Sequence, residues 1–223
     1  MKRLFAKIAT QYDRMNRLMS LALDRRWRRL ALDAASTPAR SAVLDLACGT
    51  GDFAAEVRRR WPDAEITGVD LTPEMLTIAR TKFSEAANGI RFVEADAQNL
   101  AEFPDGTFGL AVCAFGFRNF PDKPKALAEC RRVLASGGEL VVLELFRPES
   151  RVAGALVNLW LTAIAALFAR GARKEYTYLR SSVANTVSAG EFAALAEKAG
   201  FAVKRKRRFF PSATCLILTS RGT

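Results

Sequence analysis

The sequence contains no histidine in 223 residues. That removes the Ser-His-Asp and Cys-His arrangements, so any general base has to be another residue type. Cysteine is sparse, four residues at positions 48, 113, 130 and 215, and no C-x-x-C occurs among them. Neither a metal site nor a disulfide scaffold is expected; buried, reduced thiols in a cytosolic protein are. Acid is short against base, 23 residues to 34, which leaves a formal charge of +11. Such a balance favours phosphate-rich partners, either nucleic acid or the anionic face of a membrane, and also serves plain solubility. Long apolar runs are few as well. "MKRLFAKIATQYDRMN" at the N-terminus lacks the apolar core of a signal peptide. One run, Val152 to Ala169, is 18 residues long, and Asn158 and Thr162 interrupt it. That is the lower edge of spanning length, so a buried or membrane-touching helix is expected there.

What is present is a hydrophobic half and a repeated alternation of strand-like and helix-like segments. The length suits one domain over residues 1–223, with a helical cap over 1–40. Helical periodicity runs from Leu4 to Ala35, and the short linker "STPAR" follows. "SAVLDLA" (41–47), "AEITGVD" (64–70), "IRFVEAD" (90–96), a run within 103–116, and "ELVVLELF" (139–146) read as five strands. Helices separate them, the last from about Lys123 to Leu134 and stopped by Ser136-Gly137-Gly138. This predicts an α/β fold with a doubly wound, mostly parallel sheet. After residue 146 the alternation stops: 147–187 reads as a helical insertion and 188–200 as a last amphipathic helix. Two final runs turn at Pro211-Ser212 as a hairpin, which completes seven strands.

The stretch "LDLACGTGDFA" (44–54) satisfies the dinucleotide pattern G-x-G-x-x-G/A. In an open α/β sheet a ligand sits over the carboxyl ends of the strands, where Gly49, Thr50, Gly51, Asp70 and Asp96 converge. Asp70 follows Gly49 by 21 residues, the spacing of a carboxylate that holds ribose hydroxyls. That suits either an adenine dinucleotide or S-adenosylmethionine. Asp45 is expected to separate them. A buried anion beneath the loop would repel a pyrophosphate but would suit a sulfonium and an ammonium. The plainer reading, that Asp45 only pins the loop by hydrogen bonds, fits both ligands.

The motifs resemble those of class I methyltransferases: "VLDLACGTG", "GVDLTPEML", "ADAQNL" and "FPDGTFGLAV" come in the same order. "YDRMNRLMSLALDRRW" (12–27), "FGFRNFPDKPKAL" (115–127), "RVLASGGELVVLE" (132–144) and "YTYLRSSV" (176–183) are similar to segments of the ubiquinone/menaquinone biosynthesis C-methyltransferases. The resemblance covers Phe5 to Phe201. It departs at Asp24, where the family usually has histidine, at Ala135-Ser136 for Lys-Pro, and at Phe146 for serine. It departs again at Thr186-Val187 and in the last strand.

The resemblance implies a Rossmann-like fold and S-adenosylmethionine as cofactor, held by Asp45, Gly49, Thr50, Gly51, Asp70, Leu71, Asp96 and Ala97. It implies C-methylation of a polyprenyl quinol ring, demethylmenaquinol ahead of a ubiquinol precursor. The alternatives are another small apolar acceptor or a nucleic-acid methyltransferase. The latter lacks support, since neither an Asn-Pro-Pro-Tyr-like segment nor a Pro-Cys pair occurs. Arg118 and Asn119 are the candidate catalytic residues: a guanidinium would lower a phenol's pKa and an amide would orient it. Tyr12 and Asp13 are expected to close over the cofactor, with Tyr12, Tyr176 and Tyr178 toward the substrate. "KRKRR" (204–208) and Arg25–Arg29 would hold the protein near anionic headgroups, at about 1 kcal/mol per basic residue. The expected place is therefore the cytoplasm, peripheral at the inner membrane face, with a homodimer as the candidate oligomer.

Overall fold

The structure, a computed structural model, describes residues 20–36, 42–83, 88–168, 180–209 and 213–221, together with 6, 9, 13, 16 and 17. The alternation predicted from sequence builds β1 (Val43–Leu46), α2 (Asp52–Arg60), β2 (Ile66–Asp70), α3 (Pro73–Lys82), β3 (Ile90–Glu94) and β4 (Phe108–Ala114). A 3-10 turn at Phe117–Asn119 leads to α4 (Lys123–Val133) and β5 (Leu134–Glu144). Then come α5 (Arg151–Phe168), α6 (Ala189–Lys198), β6 (Phe201–Phe209) and β7 (Ala213–Ser220). Ahead of them stands α1 (Leu23–Leu32).

The seven strands form one sheet in the order β3-β2-β1-β4-β5-β7-β6. The first five are parallel, while β7 enters antiparallel to β5 and pairs with β6 as the expected hairpin. The turn itself, 210–212, lies outside the described residues. Parallel strands need covering on both faces, and β5 shows it: Leu140 and Val142 point into one core, Val141 and Leu143 into the other. The first core packs against Leu127 and Cys130 of α4 and Phe192 of α6. The second packs against Trp27 of α1, Phe53 and Val57 of α2, and Leu76 of α3. All four cysteines are free and buried, as the absence of paired motifs predicts.

Two boundaries differ from the sequence reading. The helix expected to run from Leu4 to Ala35 breaks at Leu21 and Ala22, which take φ of 50° and 59°. Neither residue is a glycine, so no sequence signal marks the break. Beyond it α1 buries Asp24, Trp27, Arg28 and Ala31, an i, i+3, i+4, i+7 stripe. The second difference is the start of β5. Gly137-Gly138 suggests a loop, yet β5 begins at Leu134, because Leu134 pairs with Phe108 before a register shift carries the ladder to Leu110 and Glu139.

Candidate active site

The chain must turn sharply from β1 into α2, and it does so with left-handed residues at Ala47, Gly49 and Gly51. Gly51 admits no side chain: a Cβ there would meet the Phe92 ring at 2.9 Å. The backbone N–H of Gly49 donates to Asp70 Oδ2 at 2.9 Å, and Thr72 N–H donates to Oδ1 at 2.8 Å. Asp70 thus ties the glycine loop to the start of α3. Burial pushes its carboxyl above the ordinary value in spite of those donors. At the end of β3, Asp96 accepts from the backbone of Gln98 at 2.9 Å and from its amide at 3.1 Å.

A cavity of about 270 Å³ opens above this edge. Gly49, Asp70, Leu71, Asp96 and Ala97, which follow β1, β2 and β3, line it together with Phe115, Gly116, Asn119 and Phe120, which follow β4 on the other side of β1. Among its described lining residues there is no lysine or arginine, and the only ionisable groups are the two carboxylates. Such a lining suits a cationic ligand with ribose hydroxyls and does not suit a pyrophosphate.

Asp45 does not line the cavity. Its carboxyl is 1% exposed and accepts from the N–H of Ala54 in the first turn of α2, at 2.9 Å. Burial pushes its pKa up to about 8 despite that hydrogen bond and nearby Arg28. Burial thus works against a charge on Asp45, and the carboxylates that line the cavity itself are Asp70 and Asp96. Thr50 and Gly51 also sit behind the cavity wall, with Thr50 2% exposed.

Asn119 reaches the cavity, whereas Arg118 stands behind it. Phe115 takes φ of 60°, and its carbonyl accepts from Arg118 Nη1 at 2.7 Å and Asn119 Nδ2 at 3.3 Å. Glu144, at the end of β5, takes Arg118 Nη1 at 2.7 Å and the Arg118 backbone N–H at 3.0 Å. Both side chains of that pair are buried. The guanidinium also lies 5.9 Å from the Phe115 ring centroid, and Arg28 lies 5.5 Å from it. Sequence reasoning passed over Glu144, although it ends its strand on an acid much as Asp70 does. Tyr12, Tyr176 and Tyr178 lie outside the described residues.

A family model for the ubiE/COQ5 methyltransferase family matches residues 1–218. The chain belongs to the ubiE/COQ5 methyltransferase family. Within it, the chain is 47% identical over 184 residues to a protein of Deinococcus radiodurans named demethylmenaquinone methyltransferase, covering 81% of this chain and 76% of that protein. It is 43% identical to a protein of the same name from Thermus thermophilus, over 90% and 92% of the two chains. A Thermotoga maritima structure described as a SAM-dependent methyltransferase superposes with a TM-score of 0.70 at 22% identity, over 99% and 100% of the chains. That similarity concerns the fold.

Two departures from the family pattern are absorbed by packing. Asp24 is buried, accepts from Arg28 at 2.5 Å and takes the Ser20 hydroxyl at 3.0 Å. Phe146 tilts against Phe192 with centroids 5.3 Å apart, inside the α4–α6 core. Neither residue lines this methyltransferase's cavity.

Proposed function

We propose that this methyltransferase carries a methyl group from S-adenosylmethionine to a ring carbon of a polyprenyl quinol, demethylmenaquinol before a ubiquinol precursor. The observation that carries the reading is the cavity's lining, two carboxylates and no base after β2 and β3, with Phe115 and Phe120 after β4. The names of the Deinococcus and Thermus relatives favour the menaquinone branch.

S-adenosylmethionine, when bound, supplies an electrophilic methyl carbon. Asp70 and Leu71 hold its ribose, Asp96 and Ala97 its adenine, and the Gly49 turn its amino-acid end. Asp45, Thr50 and Gly51 shape that turn from behind. At the other end Phe115, Phe120 and the Asn119 amide hold a flat ring against the methyl donor. No described lining residue there is a base, so the protein's contribution is alignment, which can be worth about 7–11 kcal/mol. Arg118 keeps Phe115 and Asn119 in place, and its guanidinium is the positive charge closest in sequence to the ring-binding wall.

A prenylated acceptor lives in the bilayer. On α5, Val152, Leu156 and Leu159 are 71%, 62% and 66% exposed, spaced i, i+4, i+7 on one stripe. No helix among the described residues is long and apolar enough to cross a membrane. The stripe instead suits shallow insertion, with exposed Arg205 and Arg207 of β6 toward anionic headgroups, while Lys204, Lys206 and Arg208 pair with Glu139 and Glu149. We place the protein at the cytoplasmic face of the membrane, meeting its acceptor there.

Titration calorimetry with S-adenosylmethionine and with NAD tests the cofactor. Only the former is expected to bind, and Asp70→Ala is expected to weaken it by about a hundredfold, since one carboxylate serves both ligand and loop. Mass spectrometry of quinones in a strain lacking the gene tests the acceptor. Accumulated demethylmenaquinone supports the reading, and an unchanged quinone profile refutes it.

A further inference from the structure

Gln98 lines the cavity beside Asp96, and its side-chain amide is fixed at both ends. The carbonyl Oε1 accepts from the backbone N–H of Asp122 at 2.8 Å. Nε2 donates toward the two oxygens of Asp96, at 3.1 Å and 3.3 Å. Together these contacts settle which way the amide points. A backbone N–H can only donate, so it faces the amide oxygen; a carboxylate oxygen accepts, so it faces the nitrogen. The two partners come from separate parts of the chain. Asp96 follows β3, whereas Asp122 caps α4 after the 3-10 turn and accepts from the N–H of Lys125 at 2.9 Å.

An amide nitrogen carries two hydrogens. The two oxygens of one carboxylate subtend a far smaller angle at Nε2 than those hydrogens do, so a single N–H serves both. Among the described residues Nε2 donates to nothing but Asp96, which leaves the second N–H for a ligand in the cavity. Asp96 keeps accepting capacity as well. Its Oδ1 takes the Gln98 backbone N–H at 2.9 Å, while Oδ2 has only the longer amide contact. The wall thus presents an acceptor and a donor side by side. One edge of adenine is the complement of that pair, with a 6-amino donor next to the acceptor N7. A 6-oxopurine shows two acceptors on the same edge and does not match.

We propose that Gln98 is a specificity-determining residue that donates to N7 of the adenine whose 6-amino group Asp96 accepts. The inference rests on the cofactor assigned above to this cavity and gives its base a second, neutral contact. The bonds to Asp122 and Asp96 hold the amide in one orientation before a ligand arrives, so little rotamer freedom is lost when the base binds.

The test is titration calorimetry of the full chain with S-adenosylhomocysteine, with its 7-deaza analogue S-tubercidinylhomocysteine, and with S-inosylhomocysteine. Replacing N7 by a C–H is expected to weaken binding by about five- to tenfold, the net worth of one hydrogen bond. The inosyl ligand, which sets a carbonyl against the Asp96 carboxylate, should bind about a hundredfold more weakly. Gln98→Leu should lose about five- to tenfold for S-adenosylhomocysteine and nothing further for the 7-deaza ligand, since both changes remove the same bond. The comparison of ligands needs only the wild type, so the proposal stays testable if the variant folds poorly. If the wild type binds the 7-deaza ligand as tightly as its parent, or if the losses from variant and analogue add, Gln98 does not read N7. The proposal then falls while the cofactor stands. If the inosyl ligand binds as well as the adenosyl one, Asp96 does not hold the amino group, and the proposal falls with that assignment. If S-adenosylhomocysteine itself does not bind, the cofactor assignment falls and takes the proposal with it.

Discussion

Asp45→Asn should be nearly isosteric, since the asparagine carbonyl can take over the hydrogen bond from Ala54 N–H. What it removes is a titration. In the unfolded chain Asp45 ionises near 3.8, and in the fold, where it is completely buried, it does so at about 8. Between those values the native state keeps a proton that the unfolded state has lost. The sign follows from linkage: the group's contribution is fully present below about pH 4 and is lost as pH rises toward 8, at about 1.4 kcal/mol per unit. Urea unfolding of wild type and Asp45→Asn at pH 5 and pH 7 reads it directly. Over those two units wild type should lose about 3 kcal/mol relative to the variant, and every other group cancels in the comparison. A stability difference that does not change between the two pH values would refute the reasoning, because the carboxyl would then be ionised in the fold.

The same variant carries a second readout. A neutral group outside the cavity cannot discriminate a cationic ligand, so Asp45→Asn should keep S-adenosylmethionine affinity within several-fold at pH 7. A loss of about a hundredfold would restore Asp45 as an electrostatic partner of the cofactor.

Arg118→Ala should cost about 3–5 kcal/mol of stability, because it leaves Glu144 buried and without its guanidinium; replacing both by apolar residues, Arg118→Met with Glu144→Leu, should recover much of it in denaturant unfolding. Cofactor affinity measured by calorimetry should survive in Arg118→Ala while turnover is lost, and near-normal turnover would remove Arg118 from the acceptor end. Gly116→Ala places a Cβ 2.7 Å from Cys113 Sγ and 2.9 Å from Ala47 Cβ, so unfolding should show a loss of about 1–3 kcal/mol.

The strands were legible because a parallel sheet covered on both faces writes itself as apolar runs, and because the second and third runs each end on or beside the acid that faces the cavity. Asp70 and Asp96 follow from that, and Gly49 from the glycine pattern after the first run. The break at Leu21-Ala22 was not legible, since two ordinary residues take a left-handed backbone that glycine would have announced. Gly137-Gly138 misled in the opposite direction, as a strand irregularity rather than a stop. Asp45 shows a third limit: a residue letter gives a carboxyl, but its burial, which pushes its pKa up, is set by the fold. The Arg118–Glu144 pair and the Lys82–Asp13 pair join residues 26 and 69 positions apart, so only the topology brings them together.

The two sides of the cavity are built on different supports. The cofactor end hangs from the carboxyl edges of β1, β2 and β3, where each polar group is tied to a backbone N–H: Gly49 and Thr72 to Asp70, Gln98 to Asp96. A substitution there breaks a hydrogen bond that the fold itself uses. The end proposed for the acceptor hangs from the 3-10 turn after β4, where Arg118 pairs with Glu144 of β5 and Phe117 is buried in the core, and the chain beyond β5 continues into α5, whose apolar stripe faces outward. Phe146 occupies a core position beside Phe192 rather than a place in the cavity wall. The cofactor could therefore be read from a handful of motifs, while the quinol had to be argued from a turn, an amide and an exposed helix face.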